Sequence, residues 1–153
     1  MCLVPQLTAA VRRVDRQLAT PLPISEHPFV TSQGHPYAIF RRALERRNLP
    51  SAWAAATDLK VVSLADALAL CLLVRDREPA KFTRLAFRWH ARFCAETPAV
   101  DLETGRLVLD LLTAIGRADP VPVARALREL IGSYDASLAE PLRRWEIEQA
   151  ASR

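Results

Sequence analysis

Glycine is scarce in this sequence, at 4 of 153 residues, and β-branched residues are scattered rather than clustered. That leaves little material for phosphate-cradling loops. Neither a GxGxxG run nor a Walker-type lysine loop occurs, which disfavours nucleotide cofactors. Cysteine numbers 3, at Cys2, Cys71 and Cys94, an odd count without a CxxC pair, and no HExxH occurs. A disulfide framework and a metal centre both lack their usual spacing. The longest apolar stretch, Leu64 to Val74, is broken by Asp66 and falls short of the roughly 20 residues a membrane span needs. The first twenty residues carry Arg12, Arg13, Asp15 and Arg16 where a secretory signal would be apolar. Reduced thiols, a cytoplasmic location, no cofactor and no membrane contact are the expectations.

What is present is alanine and leucine. They make up most of an apolar fraction of 50%, and both favour helix. The expected fold class is therefore all-α: a compact array of about seven or eight antiparallel helices, either a plain bundle or stacked hairpins, in a single domain over residues 1–153. An amphipathic N-terminal helix is expected at 7–19, where Leu7, Val11, Val14 and Leu18 recur at helical spacing. A strap follows at 20–36, where Pro21, Pro23, Pro28 and Pro36 forbid a continuous helix. A helical-hairpin core spans 37–131 and a terminal helix 137–150.

Inside that core, helices are expected at Tyr37 to Arg47 and Ser51 to Leu59, with Asn48-Leu49-Pro50 as the break. Ser63 and Asp66 have the spacing of a capping box for an apolar central helix. Pro79 opens a longer helix to about Cys94 with Phe82, Leu85, Ala86, Trp89 and Phe93 inward. Asp101 and Gly116 bracket another, with Leu107, Leu111, Leu112 and Ile115 inward, and Asp119-Pro120 to Gly132 a further one. Ser137 and Glu140 offer a second capping box before the last helix.

A shift of 71 positions sets Phe40 against Leu111, Leu44 against Ile115, Asn48 against Asp119 and Leu59 against Leu130. Both stretches read helix, polar break, helix, a pattern like the tetratricopeptide hairpin. The segment FRRALERRNLPSAWAAATDLKVVSLADALALCLL from Phe40 to Leu73, with RLAFRWHARF from Arg84 to Phe93, resembles an uncharacterised actinobacterial-type group of all-helical proteins. The resemblance covers residues 37–131. It implies an all-α fold of bacterial origin and carries no activity with it.

Charge is unevenly spread. Residues 36–92 hold 11 basic and 5 acidic side chains, whereas 93–153 hold 7 and 10. Arg41, Arg42, Arg46 and Arg47 form one cluster, and Lys81, Arg84, Arg88 and Arg92 line a face of another helix; were the two to meet, they would make a basic partner surface. Trp53 and Trp145 stand beside positions expected to be exposed, as interface anchors would. His90 and Cys94 are four residues apart, a spacing suited to two metal ligands or to the start of a nucleophilic pair, but one helix supplies no facing base or further ligand. Asp76 with Glu78, and Glu146 with Glu148, read as solvated surface carboxylates.

The sequence thus points to a non-enzymatic protein-interaction or adaptor module whose partner is another protein. The alternatives are a nucleic-acid-associated protein using the basic face and, more weakly, an enzyme centred on His90 and Cys94. Self-association into a homo-oligomer is compatible with all three.

Overall fold

The computed structural model describes residues 34–117 and 119–152, and the helix expected at 7–19 and the strap as far as residue 33 lie outside the described residues. The expected all-α class is borne out. Among the described residues the elements are α1 (Gly34–Glu45), α2 (Leu49–Asp58), α3 (Leu64–Arg77), α4 (Pro79–Glu96), α5 (Leu102–Ile115), α6 (Pro120–Gly132) and α7 (Ala136–Ala151).

The helix starts follow from satisfied amides. Ser63 Oγ accepts from the Asp66 amide at 3.0 Å, so Ser63 caps α3 as expected, but the Asp66 carboxylate answers the Ser63 hydroxyl at 2.8 Å where the reciprocal half of a capping box would take the Ser63 amide. Asp101 caps α5, accepting from the Thr104 amide at 2.6 Å. Two starts differ from expectation. Asn48 caps α2, accepting from Ser51, which draws Leu49 and Pro50 into its first turn. Asp135, not Ser137, caps α7, accepting from the Ser137 amide at 2.8 Å. In addition α1 begins at Gly34 and takes in Pro36, because first-turn amides have no intrahelical partner for a proline to remove.

Consecutive helices run antiparallel, as side-chain contacts show. Trp89 Nε1 donates to the Leu64 carbonyl, joining the end of α4 to the start of α3. His90 meets the Gly105 carbonyl near the start of α5, while Phe82 lies beside Gly116 beyond its end. Tyr134, just ahead of α7, donates to Thr104 of α5. The packing is cyclic: α3 packs on α4, α4 on α5, α5 on α6, α6 on α7, and α7 back on α3. A ring of five helices cannot alternate direction at every junction, so one pair must run parallel. That pair is α3 and α7, whose starts lie together at the end marked by Leu64, Thr104 and Tyr134.

Inside the ring lies the larger core, including Leu68, Leu72, Trp89, Phe93, Val108, Leu112, Leu127, Ile131, Leu142 and Trp145. Trp89 and Phe93 stack with centroids 5.4 Å apart, and Tyr134 meets Phe93 edge-on. On α5 the inward face is Gly105, Val108, Leu112 and Ile115, so Leu107, expected inward, is 47% exposed. The α1–α2 hairpin sits on α3 with a smaller core of its own: Phe40, Ala43, Leu49, Ala52 and Ala55 against Leu70, Leu73 and Val74. The half-buried Leu85 packs against both.

Two outcomes follow. Leu112→Ala empties the centre of the ring and should cost about 2–5 kcal/mol in urea unfolding. Backbone and side-chain hydrogen bonds from Thr104 hold the Asp101 carboxyl below its ordinary pKa. Its stabilisation is therefore present above the ordinary carboxylate range and lost as pH falls through the lowered value. Asp101→Asn keeps a good cap but cannot titrate, so its melting temperature should vary less with pH on the acid side than that of the wild type.

Candidate functional site: a cleft between α1 and α7

Helices α1 and α7 both pack on α3 but not on each other. Between them is a cleft of about 520 Å³. Its floor is one face of α3, where Ala65, Ala69, Leu72 and Leu73 recur at helical spacing. Leu44 from α1 and Leu138, Pro141 and Trp145 from α7 make apolar walls. The small residues Ala65 and Ala69 keep the floor low enough for another chain to approach.

Polar clusters close both ends. At the first, Asp66 is 4% exposed and its carboxylate accepts from Tyr37 at 3.1 Å, Arg41 at 2.8 Å and Ser63 at 2.8 Å. Burial, then the adjoining Asp66 carboxylate, pushes the Tyr37 phenol up, and the hydrogen bond to Asp66 raises Arg41. Three donors suit a carboxylate taken out of water. At the other end Asp76 accepts from Arg47 at 2.5 Å, Arg75 at 3.0 Å, Trp145 Nε1 at 2.8 Å and Gln149 at 3.1 Å. Arg75 also lies over the Trp145 ring, 5.3 Å from its centroid, and donates to the Ile115 carbonyl that ends α5.

Arg47 joins the cleft's two walls. It bridges Asp76 on α3 and Glu148 on α7. It does so from a left-handed backbone, φ 52°, just past the end of α1. The Arg47 amide bonds the Leu44 carbonyl and the Asn48 amide the Ala43 carbonyl, the Schellman pattern, at a position glycine usually fills. A side chain there costs about 1 kcal/mol in backbone strain, which the paired guanidinium offsets.

The basic residues expected to form one surface are divided. Helices α1 and α4 do not pack together. Arg41 and Arg47 are held by the carboxylates just described, Lys81 pairs with Glu78, and Arg92 pairs with Glu96 and reaches the Val62 carbonyl. Arg42, Arg46, Arg84 and Arg88 are exposed without a carboxylate partner among the described residues. Trp53 is 44% exposed, consistent with an anchor position. Trp145, expected beside exposed positions, is instead 3% exposed, its apolar body in the ring core and its N–H on Asp76. Asp76 and Glu146, read as surface carboxylates, are both largely buried; Glu146 lies 3.4 Å from Arg128 on α6.

His90 and Cys94 do approach, at 3.4 Å, but the same Nε2 is 2.7 Å from the Gly105 carbonyl. Hydrogen bonding to a carbonyl requires a proton on Nε2, which leaves that nitrogen unable to take the thiol's. Among the described residues no group of three or more His, Cys, Asp or Glu side chains is placed to hold a metal ion, and no helix is long and apolar enough to cross a membrane. No protein-family model, curated protein or solved structure matches the chain.

Asp76→Ala removes the acceptor of four donors, leaving Arg75 without a carboxylate and Arg47 with Glu148 alone, so urea unfolding should show a loss of about 3–5 kcal/mol. Arg47→Ala should be less stable than Arg47→Gly by about 1 kcal/mol, since both lose the bridges and only glycine relieves the backbone. Burial pushes the Cys71 thiol up to about 12, whereas Cys94 is exposed. Brief native-state treatment with a maleimide at neutral pH, mapped by mass spectrometry, should modify Cys94 and spare Cys71.

Proposed function

We propose that this chain is a non-enzymatic, cytoplasmic protein-interaction or adaptor module, and that the cleft between α1 and α7 receives an apolar face of its protein partner. The observation that carries this reading is the cleft: an apolar floor on α3, walls from two helices that do not meet, and polar groups concentrated at the two ends. Grooves between helices are a recurrent mode of peptide recognition. Catalysis is disfavoured because the one His–thiol contact among the described residues has its ring nitrogen committed to a backbone carbonyl. The nucleic-acid reading rests on Arg42, Arg46, Arg84 and Arg88, which lie on two helices that do not pack together.

The test is affinity capture from host lysate with and without nuclease, at low and moderate salt, using the wild type and Ala69→Phe. The phenyl ring fills the floor of the cleft, and a circular-dichroism melt checks that the variant stays folded. The expected result is one protein recovered regardless of nuclease, retained at moderate salt and lost with Ala69→Phe. Recovery of only nuclease-sensitive material that is lost as salt rises would sink this reading in favour of nucleic-acid binding.

A further inference from the structure

Resting on that reading of the cleft, we propose that its occupant is an amphipathic helix of about three turns. It lies antiparallel to α1, α3 and α7, with a lysine or arginine in its last turn set against Asp135 and Glu140.

The length comes from the floor. Asp66 and Asp76, at the two closed ends, are ten residues apart on α3, or about 15 Å of helical rise. The cleft volume of about 520 Å³ holds the side chains of one helical face, not a whole helix, so the occupant's polar face stays in water. An extended strand would find no sheet edge among the described residues, which include no strand.

The direction comes from the ring. Tyr37 and Arg41 meet Asp66, and Arg47 meets Asp76, so α1 runs parallel to α3. Closure of an odd ring makes α7 parallel to α3 as well. Three helix dipoles therefore lie side by side with their positive ends together, an arrangement that repels a fourth parallel helix and attracts an antiparallel one.

The charge comes from the end where those starts gather. Asp135 and Glu140 stand there with Arg144 beside them in the lining; Glu140 is 57% exposed and pairs with Arg143 and Arg144 at 3.9 Å, so Asp135 leaves that end of the lining with an excess negative charge. Pro141, inside α7, lacks the amide that would otherwise reach the Ser137 carbonyl at the same end. A cationic side chain in the occupant's last turn meets two carboxylates and that carbonyl, and also complements its own helix's negative end. At the opposite end the occupant's amide-rich start faces Glu148.

The probe is a lactam-stapled amphipathic peptide of about 12 residues, three turns with short ends, made with either lysine or glutamate in its last turn. It is titrated into the full chain by fluorescence anisotropy. The expected result is tighter binding of the lysine peptide by about threefold or more, the scale of one exposed charge contact, with the preference reversed by Glu140→Lys and all binding lost in Ala69→Phe. A spin label on the peptide's start should broaden the amide signals of Arg47 and Gln149, and one on its end those of Asp135 and Ser137. The opposite broadening pattern, or equal affinity of the two peptides, overturns the proposed direction or charge while leaving the cleft as a binding site. Absence of binding by either peptide overturns the helical occupant, and the capture experiment with Ala69→Phe then decides separately whether the cleft binds protein at all.

Discussion

The structure turns on a parity constraint. Five helices joined by short connections alternate in direction, and when such a ring closes, its first and last members run the same way. Here α3 and α7 meet in parallel, without the dipole compensation that every other junction of the ring enjoys. The Asp76 carboxylate lies at that junction and accepts from both helices and from Arg47 beyond them. A buried carboxylate with four donors is a specific tie, since a one-turn slip of α7 would strip it of two donors, Trp145 and Gln149, and leave Trp145 Nε1 without its acceptor. Arg75 adds to the tie by sealing the carbonyl end of α5 and covering the Trp145 ring.

The same junction creates the cleft. Because α1 leans on α3 through its own small core and α7 leans on α3 through the ring core, no helix of the described residues lies above the strip of α3 between them. Arg47 closes one end from a strained backbone, and the Tyr37–Arg41–Asp66 cluster closes the other. Strain accepted beside a cavity, rather than in a loop remote from it, is the pattern expected where geometry serves binding.

Much of the fold was legible in the sequence because it is written locally. Ser63, Asp101, Pro79, Pro120 and Gly116 mark helix ends through contacts only a few residues long, and the stripe Phe82, Ala86, Trp89, Phe93 fixes the buried face of α4. The misreadings share a different origin. Leu107 looks inward by composition, but the face of α5 is set by the close approach that Gly105 permits to Cys94. Trp145 and Asp76 look like surface residues because the bond between them spans 69 positions, and nothing near either reveals it. Of the candidate site, the cationic residues were visible as such, yet which of them are neutralised depends on partners as distant as Arg47 and Glu148. The cleft itself is a property of helix order around a ring and has no local signature.

Two cores that share little beyond the half-buried Leu85 and the outer face of α3 have a consequence for motion. The α1–α2 hairpin can lift from α3 while the ring stays shut, so its amides exchange with solvent through a sub-global opening of lower free energy than complete unfolding. One wall of the cleft then belongs to a less stable cooperative unit than its floor and opposite wall. A ligand gripping both walls would slow hydrogen exchange in α1 far more than in α7, and would in that sense complete the fold it binds.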